Sequence, residues 1–132
     1  MQKRILRACV CLAAAFVVPA LAGPNDDAAA AYQRGDYATA LRLWRSQAEQ
    51  GDGTAQMALG FMYHDGEGVP KDLKRAYMWF YLAASNLPAD RQSFLDAMEA
   101  RDLTAKAMTP EQIAEARDMA GKCQAQHYKG CD

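Results

Sequence analysis

The stretch 54–86 constrains the fold of this chain more than any other, because its pattern is that of two helices joined by a glycine-containing loop. In its first half, Ala55, Leu59 and Met62 recur at helical spacing and form an apolar stripe. Gly60 interrupts this helix, where glycine costs roughly 0.5–1 kcal/mol relative to alanine. Such a residue is explained if a second helix packs so closely that no side chain fits, so Gly60 predicts a tight helix–helix contact.

The second half of the stretch completes a helical hairpin. In the loop, Gly66 and Gly68 permit positive φ, and Pro70 stops the first helix from continuing. Asp72 is the predicted N-cap of the second helix, because its carboxylate can accept the first free amide hydrogens. The apolar face of that helix follows i, i+3, i+4, i+7, i+8 spacing and consists of Ala76, Trp79, Phe80, Ala83 and Ala84. Small residues beside large aromatic ones predict a closely packed αα-hairpin.

The pattern resembles the Sel-one-like repeat, a relative of the tetratricopeptide repeat. The matching residues are Ala55, Leu59, Gly60, Tyr63, Gly66, Gly68, Val69, Asp72, Ala76, Trp79, Ala83 and Ala84. They cover about one repeat length in fixed order, which is a strong indication of fold. The resemblance implies an all-α protein, a short right-handed α-solenoid of antiparallel helix pairs, that serves as a scaffold for protein partners.

Weaker copies of the hairpin flank the full repeat, residues 53–88. In residues 26–52, Asp36 and Trp44 align with Asp72 and Phe80 at a constant offset of 36 positions, but residues 67–71 have no counterpart. Residues 89–126 are expected to form a capping hairpin, because terminal repeats of a solenoid are atypical. Its first helix would use Phe94, Leu95, Met98 and Leu103 as the apolar face, and Thr109, Pro110 and Gln112 would begin its second. Six helices in a single repeat domain, residues 23–132, are predicted.

The beginning of the chain has the three parts of a secretory signal peptide, residues 1–22. Three basic residues fall within the first seven positions, an apolar run follows at 8–18, and Ala20-Leu21-Ala22 gives an A-x-A cleavage pattern. The apolar run is too short to span a membrane. We therefore expect a periplasmic or secreted protein that starts near Gly23 and is not membrane-bound after cleavage.

Charge argues against several classes of partner. The chain has 15 Lys and Arg against 16 Asp and Glu, and loss of the signal peptide removes three basic residues and no acidic ones. The resulting mildly acidic chain lacks the basic footprint that nucleic acids and anionic lipids require. A protein or peptide partner is expected instead, with the chain itself a monomer or weak oligomer.

Two cysteines, Cys123 and Cys131, remain after cleavage, and an oxidising compartment favours their pairing. On an unbroken helix they would lie about 12 Å apart, too far for a disulfide, so the chain must turn back, which Gly130 permits. Closing so short a loop would stabilise the fold by roughly 2–3 kcal/mol. Free thiols, or a zinc site that adds His127, remain alternatives; cysteine pairs with this spacing also occur in Sel-one-like repeat proteins, which favours the disulfide.

No motif indicates catalysis or a cofactor. Neither the S-x-x-K arrangement nor the H-E-x-x-H zinc pattern is present in the sequence. The acidic residues Glu111, Glu115 and Asp118 fall on what should be a solvated helix face. We therefore expect no enzymatic activity. The alternative is an envelope enzyme or ligand binder that binds or hydrolyses β-lactams. It is implied by the resemblance to cysteine-rich Sel-one-like repeat proteins.

A second stripe on the first helix of the full repeat is a candidate partner-binding surface. Met57, Phe61 and His64 fall at i, i+4 and i+7 and face away from the packing stripe. Solenoids bind partners on the surface that such first helices form, so an exposed Met and Phe would suggest an apolar peptide groove. Packing against the capping hairpin could equally bury both side chains, and burial is the favoured interpretation. The sequence thus predicts an interaction scaffold or adaptor of the cell envelope.

Overall fold

The computed structural model describes residues 22–132, and this part of the chain contains six α-helices and no strand. The helices are α1 (Pro24–Gln33), α2 (Tyr37–Ala48), α3 (Gly53–Asp65), α4 (Leu73–Asn86), α5 (Gln92–Ala105) and α6 (Pro110–Ala125). The predicted all-α fold is confirmed. The predicted signal peptide lies outside the described residues, except for its last residue.

Helix α4 is the centre of the fold, and α3, α5 and α6 all pack against it. Its residues from Ala76 to Phe80 are buried without interruption, together with Leu82 and Ala83. A helix that is apolar on all sides is stable only when other elements cover it completely. The core of the described chain is therefore built around α4 rather than around a single interface between two repeats.

The α3–α4 hairpin has the features predicted from its sequence. A Cβ atom on Gly60 would lie 2.5 Å from Cδ1 and Cε1 of Phe80, so only glycine allows the two helices to approach this closely. Asp72 caps α4 by accepting a hydrogen bond from the amide of Arg75 at 3.0 Å. Gly66 ends α3 in the left-handed conformation, with φ 70°. Each of these features is encoded within the α3–α4 hairpin itself.

Helices α5 and α6 depart from the expected capping hairpin of residues 89–126, because both pack on α4 and they barely touch each other. The apolar face predicted for α5 is also wrong in part: Leu95 and Leu103 are exposed, and Ala97 and Thr104 are buried instead. Small side chains let α5 approach α4 closely. The hydroxyl of Thr104 donates to the carbonyl of Ala100 at 2.7 Å, which satisfies its polar group inside the contact.

The loop between α3 and α4 connects the full repeat to the preceding pair of helices. Glu67, one of the residues without a counterpart in the first repeat, accepts hydrogen bonds from the hydroxyls of Tyr32 and Tyr37. The bond to Glu67, and then burial, raise the pKa of Tyr32 to about 12. Gly68 lies against Tyr37, whose Cβ would be 2.9 Å from a Cβ added to the glycine. The extra loop residues thus hold the two repeats together.

A buried polar side chain that the sequence patterns did not reveal joins three helices. Gln56 is fully buried, and its amide donates to the carbonyl of Ala48 at 3.1 Å. The Gln56 side-chain carbonyl accepts from the amide of Asn86 at 2.9 Å, and Asn86 in turn accepts from the hydroxyl of Tyr128 at 3.0 Å. These bonds satisfy groups that would otherwise be costly to bury. They fix α2, α3, α4 and the end of the chain relative to one another.

Candidate functional site

The surface formed by α1, α3 and α5 has two hollows, one on each side of Phe61. The first hollow, between α1 and α3, has a volume of about 440 Å³. The second hollow, enclosed by α3, α4 and α5, has a volume of about 290 Å³. The first is lined by Asn25, Asp26, Ala29, Tyr32, Trp44, Thr54, Met57, Ala58, Phe61 and Asp65, and the second by Phe61, His64, Phe80, Asp96, Glu99, Ala100, Leu103 and Thr104.

Phe61 forms the ridge between the two hollows. Phe61 is 42 % exposed, although its ring packs against that of Phe80 in a T-shaped arrangement with ring centroids 4.9 Å apart. Leu103, across the second hollow, is 53 % exposed. Single exposed apolar side chains are common on protein surfaces, but two that line the same hollow are characteristic of a binding surface. Helices α5 and α6 therefore leave Phe61 exposed, and the burial beneath the capping hairpin that the sequence analysis favoured is wrong for this residue.

The other two residues of the predicted stripe lie on opposite sides of this ridge. Met57 is half-buried in the first hollow, and His64 is half-buried in the second. The His64 ring lies beside the Asp65 carboxylate, with Nδ1 and Oδ1 2.7 Å apart. The structure thus brings all three predicted residues to one surface, but into two adjoining hollows rather than one groove.

The charged side chains that line both hollows are acidic. Asp26 and Asp65 border the first hollow, and Asp96 and Glu99 border the second, one helical turn apart on α5. No Lys or Arg from residues 22–132 lines either hollow. The sequence analysis identified the apolar stripe but not this acidic border, because its members come from three helices that are distant in sequence.

The chain after α6 turns back and is named here the strap, residues 126–132. His127, Tyr128 and Gly130 have positive φ, which ends the helix and reverses the chain direction. Cys123 and Cys131 are thereby brought together, with their sulfur atoms 2.01 Å apart and their Cα atoms 5.3 Å apart. The structure thus pairs the two cysteines with each other, and the zinc arrangement with His127 is not the one it shows.

The end of the strap lies among three donors from three different helices. The Asp132 carboxylate accepts from the Tyr63 hydroxyl at 2.8 Å and from the Trp79 indole at 3.4 Å, and it pairs with the Arg45 guanidinium. Burial, and then the bond to Asp132, raise the pKa of Tyr63. The disulfide ties the strap to α6, and Asp132 at its end additionally contacts α2, α3 and α4, because those helices present the matching donors.

The remaining predicted positions have structural roles in the described chain. Ala55, Leu59, Tyr63, Ala76, Trp79 and Ala83 are buried, and Ala84 is half-buried. Within residues 22–132, no group of three or more His, Cys, Asp or Glu side chains is placed to hold a metal ion. The same residues include no helix long and apolar enough to cross a membrane.

The fold and the exposed surface of the first helices define a class, that of all-α proteins built from stacked helical hairpins. Residues 53–86 match the family model of the Sel1 repeat, the Sel-one-like repeat named above. The matched residues correspond to α3, its loop and α4, and the chain is therefore a helical protein of the Sel1-like repeat type. Neither the curated proteins nor the solved structures gave a match to this chain.

Proposed function

We propose that this protein is an exported scaffold or adaptor of the cell envelope, which binds a protein or peptide partner on the surface formed by α1, α3 and α5. The observation that carries the proposal is Phe61, a large apolar side chain that is about half exposed between two hollows while its ring packs against Phe80. A preordered aromatic side chain loses little conformational freedom when it binds, which favours its use as an anchor. Sel1 repeats generally mediate protein–protein interaction, which supports the same function.

The proposal assigns the chain no catalytic step and no cofactor. Its alternative, the β-lactam binding or hydrolysis implied by cysteine-rich relatives, rests on the resemblance and on no contact among the described residues. A labelled penicillin incubated with the purified protein separates the two classes. Covalent labelling or hydrolysis would replace the scaffold proposal with the enzyme.

Photo-crosslinking tests the proposed binding surface. A photoreactive benzoylphenylalanine in place of Phe61 is expected to give higher-mass adducts in the native cell, because the ring sits between two open hollows. The matched control is the same residue in place of Leu95, which is also exposed but lines neither hollow. Equal adducts at both positions, or none at position 61, would contradict the proposed surface.

Export is tested by the start of the mature chain. The tripartite pattern of residues 1–22 leads us to expect an N-terminus at Gly23 in protein recovered from the envelope or the medium. Mass spectrometry of the intact protein measures this directly. Recovery of only the uncleaved chain, from the cytosol, would exclude the envelope location while leaving the binding surface to be judged on the crosslinking result.

A further inference from the structure

The chemistry of the two hollows specifies their occupant beyond the general role of a scaffold. We infer that the partner segment is an amphipathic peptide that places apolar side chains against Phe61 and Leu103 and lysine or arginine side chains against the acidic border. This inference rests on the proposed function and identifies the chemical class of the partner. Three features of the surface support it. The floor of the second hollow is apolar, the border of both hollows is acidic, and no Lys or Arg among the described residues pairs with that border.

The floor of the second hollow selects apolar side chains. Phe61, Phe80, Ala100 and Leu103 line it, and both Phe61 and Leu103 remain largely exposed. An occupant that covers these two side chains removes apolar surface from water, which is the main favourable contribution to association. A wholly polar peptide would bury no apolar side chain against Phe61 and Leu103 and would not gain this free energy.

The border of the hollows selects positive charge. Asp96 accepts a hydrogen bond from the Gln92 amide at 2.8 Å, a neutral donor that leaves the carboxylate charge uncompensated. Asp65 lies beside His64. Asp26 is not counted among the uncompensated charges, because its carboxylate lies 3.0 Å from the nitrogen of Gly23, which becomes a charged amino group if the chain is cleaved there. Among the described residues, Asp65, Asp96 and Glu99 form no ion pair with Lys or Arg.

Three arginines of α2, α4 and α5 pair with carboxylates outside the hollows. On α5 itself, Arg101 pairs with Asp102 at 2.7 Å, on the side of the helix away from the hollow. Arg75 pairs with Asp72, and Arg45 pairs with Asp132. The acidic border thus has no Lys or Arg partner among residues 22–132, and an occupant could supply one. Complementary charge at such a border gives selectivity and faster association more than affinity.

Binding of three matched synthetic peptides to the purified protein tests the inference by fluorescence anisotropy. The first peptide alternates leucine pairs with lysines, the second replaces every lysine with glutamate, and the third replaces every leucine with serine. The lysine–leucine peptide is expected to bind about tenfold more tightly than either of the others. Its affinity should fall as ionic strength rises from about 0.01 M to about 0.15 M, because the screening length shortens from about 30 Å to about 8 Å.

Variants separate the roles of floor and border. Phe61→Ala should weaken the lysine–leucine peptide about tenfold, whereas Leu95→Ala, at an exposed apolar residue outside both hollows, should leave it unchanged. Asp96→Asn with Glu99→Gln should reduce the preference for lysine over glutamate by about tenfold. The control of equal charge, Asp90→Asn with Glu111→Gln, alters exposed carboxylates that line neither hollow and should preserve the preference.

The outcomes distinguish this inference from the function on which it rests. Equal binding of the lysine and glutamate peptides, with loss on Phe61→Ala, would overturn the cationic partner while supporting the apolar surface. Binding that depends on lysine but is unchanged by Phe61→Ala would indicate general electrostatic attraction and would overturn the inference. A dimer that depends on Phe61, detected by sedimentation of the protein alone, would assign the surface to a second copy and would also overturn it.

Discussion

Replacing Gly60 with leucine is expected to lower the free energy of unfolding by about 1–3 kcal/mol or more, because the α3–α4 contact has no room for a side chain. Even a Cβ atom at this position would lie 2.5 Å from the Phe80 ring. The Phe80 ring is buried and also packs against Phe61, with ring centroids 4.9 Å apart, which limits how far it can move away. Chemical denaturation followed by circular dichroism measures the loss.

The matched control is Gly121→Leu in α6, where an added Cβ would meet nothing within 4 Å. Leucine there should raise stability by up to about 1 kcal/mol, through helix propensity alone.

A double-mutant cycle of Gly60→Ala with Phe80→Leu adds a direct measure of the contact. The smaller side chain at position 80 should relieve part of the clash, with a coupling free energy of about 0.5–3 kcal/mol. Similar effects of leucine at positions 60 and 121, or additivity in the cycle, would contradict the close contact.

Removing the disulfide, by Cys123→Ser with Cys131→Ser, is expected to cost about 2–3 kcal/mol of unfolding free energy. The covalent bond closes a loop over a sequence separation of 8 residues, and its loss frees the strap to leave its contacts with α2, α3 and α4. Denaturation of the two forms gives the difference. Thiol counting on the unreduced protein should find no free thiol, and a non-reducing gel should show a monomer.

Asp132→Asn measures the contribution of the Arg45–Asp132 ion pair separately from that of the disulfide. The Arg45–Asp132 pair is partly solvated, with side chains 39 % and 24 % exposed, so its charge should contribute only about 0.2–1 kcal/mol. The disulfide is therefore expected to be the larger contribution. Two reactive thiols, a disulfide-linked dimer, or a larger loss from Asp132→Asn than from the double serine variant would contradict this assignment.

The sequence was informative where structure is determined by neighbouring residues. Helix caps such as Asp72, the left-handed position at Gly66 and the close contact at Gly60 depend on local chemistry and on one packing partner within the same hairpin. Such features can be predicted from spacing alone. The stripe of Met57, Phe61 and His64 was likewise visible from helical spacing, but the exposure of Phe61 was not, because burial beneath the capping hairpin was the favoured interpretation.

Features that depend on distant residues could not be predicted in this way. The spacing of Cys123 and Cys131 suggested a disulfide, but nothing near them indicates that Asp132 bonds Trp79, 53 positions away, or Tyr63, 69 positions away. Likewise, α5 turns Ala97 and Thr104 inward because α4 leaves little space, and the helix's own apolar spacing favoured Leu95 and Leu103 instead. Tertiary packing overrides local preference at these positions.

The strap changes how this array of helices can come apart. In a stacked repeat protein each unit touches only its neighbours, so units at one end can melt while the others persist. Here residues that follow α6 bond to Arg45 in α2, which joins the last helical pair to the first across the middle one. The first pair cannot detach without breaking contacts made at the far end of the described chain. Residues 22–132 should therefore unfold more cooperatively than an open array of the same six helices, because loosening of α1 and α2 also loses a contact of the strap.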